Sequence, residues 1–290
     1  LRLKELVVQK LWSILFLGLL VFGVWFFYYG MTTPGMWLPD QASTYAHDVD
    51  YLFNVILWIT GIAFVLTEGA LVWFLFRYHA AEGRKATYIH HHTKAEVIWT
   101  VVPAVILAYI AYAQYDTWNN IKRNPMLTGP EQKQAMAQIV ARQFEWRFRY
   151  AGLDGQPGVA GVDDDNNGTA DDWDEWGYPG SDDVESVNEL HVPVGEKMVF
   201  HLRSFDVLHS FFVPDFRVKQ DAVPGLVIPL WFQVLENQLE SGQAYKDYDL
   251  LCAELCGWGH FKMQGKVRVH TADGFREWLR ETEQKYRDPG

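Results

Sequence analysis

Before residue 120 the chain is dominated by three long apolar runs; after residue 136 it breaks into short alternating ones. The first run, Leu11 to Tyr29, has 19 residues and no charge. At about 1.5 Å per residue it reaches roughly 28 Å, close to the thickness of a hydrocarbon core. The second, Tyr51 to Phe76, contains Asn54 and Glu68, and the third, Val97 to Tyr115, has 19 residues including Pro103. Each predicts a membrane-spanning helix. Downstream, Val-, Phe-, Tyr- and Trp-rich stretches predict strands at Ala137–Tyr150, Glu189–Val194, Lys197–Ser204, Ser210–Val213, Leu226–Leu235, Ala244–Leu251 and Gly265–His270. So many short strands argue for a sandwich or Greek-key barrel. Phe275, Trp278 and Leu279, at i, i+3 and i+4, predict a short amphipathic terminal helix.

Basic residues orient the spans. Arg2, Lys4 and Lys10 precede the first run, residues 30–50 carry no Lys or Arg, and Arg77, Arg84, Lys85 and Lys94 follow the second run. The positive-inside bias places the N-terminus and the 77–95 loop in the cytoplasm and everything after residue 120 on the outer side. The basic N-terminus would also suit a secretory leader. Its apolar run exceeds the usual core of about 7–15 residues, however, and no A-x-A-like site follows, so a retained helix is expected. Glu68, inside the second span, should face a neighbouring helix or a cavity, because a lipid-facing carboxylate is costly.

Charge is uneven. Residues 1–120 hold 7 Lys+Arg and 8 Asp+Glu, leaving 18 and 28 for residues 121–290. Such an acidic domain repels phosphate, which disfavours nucleic acid, and suits a basic protein partner or simple solubility equally well. Ten of the acidic residues crowd into 163–185 without a single Lys or Arg, as a surface insertion would. Asp163, Asp165, Asn167 and Thr169, with Gly168 and a final Asp174, follow the spacing of a calcium loop. The Glu expected at its end comes one residue late, and no helix pattern flanks it, so a solvated acidic loop fits as well.

The two cysteines lie in Cys252-Ala-Glu-Leu-Cys256-Gly-Trp-Gly-His260-Phe-Lys-Met263. Two thiols, an imidazole and a thioether within twelve residues suit copper far better than a hard cation. A disulfide would explain neither His260 nor Met263, and zinc seldom uses Met. A further histidine is expected upstream, and Leu208-His209-Ser210-Phe211 supplies it.

These motifs together resemble subunit II of the cytochrome c oxidases. Leu38-Pro39-Asp40, Glu96-Val-Ile-Trp99-Thr100-Val-Val-Pro103 and Lys219-Gln-Asp221-Ala-Val-Pro224-Gly225 extend the resemblance over most of the chain. It implies a membrane-anchored α+β protein: an extra transmembrane helix (1–33), a family helical hairpin (34–120), an all-β cupredoxin-like Greek-key domain (121–272, with an acidic insertion at 151–187) and the terminal helix (273–290). It also implies a dinuclear copper centre, CuA, held by His209, Cys252, the Glu254 carbonyl, Cys256, His260 and Met263. In the family pattern Cys252 and Cys256 bridge the coppers, His209 and Met263 complete one, and His260 and Glu254 the other. The Glu254 side chain would bind magnesium at the interface with the catalytic subunit, and Glu96 would mark the mouth of a proton channel. The implied setting is the bacterial inner membrane. The implied partners are a haem-copper catalytic subunit, other oxidase subunits, and cytochrome c or a similar small redox donor. The same chemistry would serve a nitric oxide reductase subunit, and a membrane-tethered copper chaperone is the non-enzymatic alternative, though it calls for an α/β pattern.

Two positions depart from the family. Its Q-W-x-W stretch reads Gln143-Phe144-Glu145-Trp146, so Phe144 stands where the family's electron-accepting tryptophan is expected, with Trp146 or Trp258 as substitutes. Leu226 replaces the Arg after Pro-Gly. The His90-His91-His92 run reads as a polar loop.

Overall fold

Three helices carry the three apolar runs: α1 (Arg2–Thr32), α2 (Ala46–Arg77) and α3 (Thr93–Ala113). The computed structural model describes residues 2–78, 83, 85, 87–124, 127, 135–152 and 183–287. It divides into two compact units, Leu1–Pro39 with Asp50–Tyr115, and Asp40–Val49 with Asp116–Gly290. Among the described residues, Lys10–Thr32, Ala46–Arg77 and Thr93–Lys122 are long and apolar enough to cross a membrane.

In the helical unit, α1 and α2 interlock through rings set against glycines. A Cβ on Gly61 would stand 3.2 Å from the Phe27 ring, and one on Gly23 would stand 3.3 Å from Phe64. Between helices surrounded by lipid, where no hydrophobic drive distinguishes partner from solvent, such close approach is what favours association. α3 begins four residues before its apolar run because His92 caps it. The His92 ring accepts the Ala95 N–H at 3.1 Å, and Glu96 Oε1 accepts the His92 N–H at 2.9 Å. A break at Gln114 separates α3 from the short α4 (Tyr115–Lys122).

The second unit is a two-sheet sandwich. Its strands are β1 (Ala137–Arg142), β2 (Glu145–Tyr150), β3 (Val184–Val187), β4 (Glu189–Pro193), β5 (Lys197–Ser204), β6 (His209–Val213), β7 (Val218–Ala222), β8 (Ile228–Gln233), β9 (Tyr245–Cys252) and β10 (Gln264–His270). One sheet runs β3-β2-β1-β5-β8 and the other β4-β10-β9-β6-β7, with only β1–β5 and β4–β10 parallel. Period-two alternation turns Ile139, Trp146, Phe148, Phe200, Leu202, Phe211, Leu250 and Val267 into one core. α5 (Ala272–Arg287) lays Phe275 and Leu279 against it.

The expected single strand Ala137–Tyr150 is two strands. A turn at Gln143-Phe144 folds the run back on itself, with Arg142 opposite Glu145. Two strands escaped the sequence reading. β3 lies within the stretch expected as insertion, and the polar β7 is an edge strand with exposed Lys219 and Asp221. The calcium-loop residues Asp163, Asp165, Asn167, Thr169 and Asp174 lie outside the described residues.

Under α5, His191 and His270 are buried, with His191 Nδ1 2.9 Å from His270 Nε2 and its ring stacked on Trp278 at 3.8 Å. Burial lowers the pKa of His191 to about 3, aided by His270 and Arg268, and that of His270 to about 4; burial alone lowers that of the core His201 to about 4. Unfolded imidazoles protonate near 6.5, so the unfolded chain binds more protons between those limits. Stability from this source is intact above about pH 6.5 and is lost as pH falls toward the folded values. Denaturant midpoints of the chain in detergent, measured from pH 7 to 4, should fall steadily, and His191→Phe with His270→Leu should flatten the fall.

Candidate metal centre

Strand geometry delivers the first ligands. Along β9 the inward series Tyr248, Leu250, Cys252 ends on a buried thiol; along β6 the buried positions His209, Phe211 and Val213 begin on a buried imidazole. The two strands pair, with Phe211 opposite Cys252, so both ligands emerge at one end of the sheet. β9 and β10 form a hairpin, and Cys252 N–H donates to the Met263 carbonyl at 3.2 Å, which fixes the thioether's backbone as well. The connecting loop carries Glu254, Cys256 and His260.

Around the sulfurs the side chains form a ring. Cys252 Sγ is 3.9 Å from Cys256 Sγ, 3.9 Å from His209 Nδ1 and 3.2 Å from the Glu254 carbonyl oxygen. Cys256 Sγ is 3.6 Å from His260 Nδ1 and 3.8 Å from Met263 Sδ. A disulfide needs about 2.05 Å, so the thiols are unbonded. Two thiolates each about 2.3 Å from a shared ion can stand this far apart. Among the described residues, His209, Cys252 and Cys256 make the one group of three or more His, Cys, Asp and Glu ligands, all buried, that could hold a metal.

The electrostatics of the two thiols are unequal. Burial raises the thiol pKa of both cysteines, but hydrogen bonds from His209, the Ser210 and Glu254 backbone and His260 bring Cys252 below an ordinary thiol. Cys256 is held above one, by burial and then by the charge of Cys252 beside it. A positive ion between them would remove that mutual penalty. The ring of His209 is oriented from behind: Nε2 lies 2.8 Å from Asp206 Oδ1, which leaves Nδ1 facing Cys252. Burial opposes ionisation of Asp206. The backbone N–H groups of Gln143 and Val207 and the His209 ring nevertheless keep it below the usual carboxylate range. Sequence reasoning missed Asp206 and Gln143. An acid three residues before a ligand histidine was the available signal for the first. The Gln143 side-chain amide donates to the Cys256 carbonyl.

Two family models match the chain. "Cytochrome C oxidase subunit II, transmembrane domain" matches residues 31–116, and "Cytochrome C oxidase subunit II, periplasmic domain" matches residues 171–269. The alternative cytochrome c oxidase subunit 2 of Bradyrhizobium diazoefficiens is 32% identical over 248 residues, 85% of this chain and 84% of its own. The chain belongs to the cytochrome c oxidase subunit II family. Cytochrome c oxidase subunit 2 of Thermostichus vulcanus is 31% identical over 268 residues, 85% of this chain and 78% of its own. The crystal structure of the periplasmic domain of cytochrome oxidase subunit II of Bradyrhizobium japonicum covers 55% of this chain and 99% of its own, with 24% identity and a TM-score of 0.36.

As a subunit II, the protein is membrane-anchored with a periplasmic domain. Most of α1 lies outside the family's transmembrane match. Of the three aromatic residues expected at the electron-entry point, with Trp146 or Trp258 exposed, Trp146 is not exposed: it is 0% exposed, because its place on β2 points it inward against His209 and Phe211. Phe144 is half-buried and lies over the ligand loop, while Trp258 is exposed. Gly257 has φ +131°, and a Cβ on Gly259 would come 2.5 Å from the Phe144 ring, so neither position tolerates a side chain. Glu254 turns its side chain to solvent, and Glu96 sits in the first turn of α3.

Proposed function

We propose that this chain is the electron-accepting subunit of a terminal respiratory oxidase. In this reading it takes electrons from cytochrome c or a similar small donor at a dinuclear copper centre and passes them to haem in a catalytic subunit that reduces oxygen and pumps protons. The observation that carries the reading is the pair of unbonded sulfurs 3.9 Å apart, ringed by two imidazoles, a thioether and a carbonyl. A mononuclear blue-copper site needs only one thiolate, and zinc rarely takes a thioether. When bound, a copper pair held by Cys252, Cys256 and the ring around them would supply a one-electron centre. The protein's part is to hold the ligands still. His209 is braced by Asp206, and Cys256 is clasped by Gln143. Burial of Cys252, Cys256 and Met263 keeps water from the sulfurs. Little then needs to move when the charge changes.

In the same reading the exposed Glu254 carboxylate contributes to a magnesium site completed by the catalytic subunit, and Glu96 opens a proton path from the cytoplasm. A basic N-terminus inside a bacterial inner membrane and the copper domain outside fit the Lys and Arg distribution. A copper chaperone is disfavoured by the two-sheet fold, which is not an α/β thioredoxin. The purified chain titrated with copper should turn purple and give an electron resonance spread over two equivalent copper nuclei. Uptake of a single copper with a mononuclear spectrum would overturn the proposal.

A further inference from the structure

Glu68 is the only charged side chain in the three apolar runs, which hold no Lys, Arg or His. It stands nine residues before Arg77 at the end of α2, roughly 13 Å inside that end at about 1.5 Å per residue. Other polar side chains of the same helix satisfy themselves. Asn54 donates to the Asp50 carbonyl, Thr60 to that of Ile56 and Thr67 to that of Ala63, each at 2.9 Å. An ionised carboxylate only accepts, so it cannot return a bond to its own helix in this way. Glu68 is half-buried and has no hydrogen bond or ion pair among the described residues. The helix beside it offers no donor. Gly23 lies against Phe64 and Phe27 against Gly61, so Glu68, one turn past Phe64, falls beside the part of α1 that precedes Gly23. Residues 14–24 of α1 hold no hydrogen-bonding side chain.

Next to Glu68 the helix surface is open. Gly23 and Gly61 are each covered by a ring of the facing helix, whereas a Cβ on Gly69 would meet nothing within 4 Å. Gly69 borders an apolar cleft of about 450 Å³ between α1 and α2, lined also by Leu17, Val72 and Trp73. In lipid, a glycine lets another helix approach closely, and an acid at this depth is retained where it meets a partner. We propose that Glu68 is one half of an ion pair between subunits: a transmembrane helix of another oxidase subunit passes beside Gly69 and presents a Lys or Arg at the same depth. This rests on the reading that the chain assembles into an oxidase. The pair fixes register, because a slip of one helical turn, about 5.4 Å, would leave both charges unpaired in hydrocarbon.

The test uses the whole oxidase complex, purified through this chain in mild detergent. Retention of the other subunits is followed by gel and haem absorption through washes of rising detergent concentration. The copper spectrum of each variant reports that the chain itself is folded. Glu68→Leu should lower retention about tenfold, because it strands the partner's charge, and Glu68→Lys should lower it further by repulsion. Glu68→Gln, which keeps the shape without the charge, should fall between native and Leu. A photoreactive benzoylphenylalanine placed at position 68 should join to a membrane-spanning peptide of another subunit that contains Lys or Arg. Native retention in Glu68→Leu and Glu68→Lys, with the copper spectrum intact, overturns the inference and leaves the electron-accepting role standing. Full retention in Glu68→Gln overturns it as well, since a neutral donor would then suffice, and so does cross-linking confined to lipid or to this chain. A native chain that purifies with no haem-bearing subunit overturns both.

Discussion

Cys256→Ser should reduce copper uptake from two ions per chain to one and abolish the purple two-copper spectrum. The cause is geometric. Cys256 stands within 3.9 Å of Cys252, His260 and Met263, so it is the sulfur common to both halves of the ligand ring. A serine oxygen is hard and is not ionised at neutral pH, and it cannot replace a bridging thiolate. The remaining His209, Cys252 and Met263 resemble a one-thiolate copper site, so a mononuclear spectrum is the expected residue. Stoichiometry by metal analysis and electron resonance of the same sample check this; a mutant that kept the two-copper resonance would remove the bridging role of Cys256.

Asp206→Ala should loosen metal retention by roughly 10–100-fold, the usual cost of deleting a group that orients a ligand imidazole. The carboxylate does three things: it accepts the His209 ring N–H at 2.8 Å, the Gln143 N–H at 2.8 Å and the Val207 N–H at 2.7 Å. Without it, His209 loses the bond that leaves Nδ1 free for metal, and the turn bearing Gln143 loses its tie to the ligand strand. Asp206→Asn should fall between, because the amide oxygen accepts but carries no charge. Competition with a copper chelator, read from the decay of the copper absorption, measures the order native, Asn, Ala. Equal retention in all three would show that His209 needs no orienting partner.

The spans, the sandwich and the cluster of Cys252, Cys256, His260 and Met263 were legible because each rests on a local pattern, whereas the Glu254 carbonyl entered only with the family resemblance. Apolar runs of membrane length, period-two strands and a twelve-residue cluster of soft ligands need no knowledge of distant contacts. What stayed hidden depends on pairing. β7 reads Val-Lys-Gln-Asp-Ala, which looks like loop until β6 is placed beside it, with Phe211 opposite Gln220. The split of Ala137–Tyr150 was invisible because Gln143-Phe144 is not a typical turn pair; its turn is held from outside, by Asp206 on another segment. The same limit explains Trp146. An aromatic residue on an alternating strand can face either way, and only the sheet partner behind it decides.

The hairpin that bears the ligands divides them into unequal halves. His209 and Cys252 sit at the ends of paired strands, and Met263, one residue before β10, is tied to Cys252 by a backbone hydrogen bond. Glu254, Cys256 and His260 ride on the loop between, held to the rest of the domain by side-chain bonds such as that from Gln143. The cage therefore has a strand-borne side and a loop-borne side. A chelator would then have to draw away the loop-borne ligands before those on the strands.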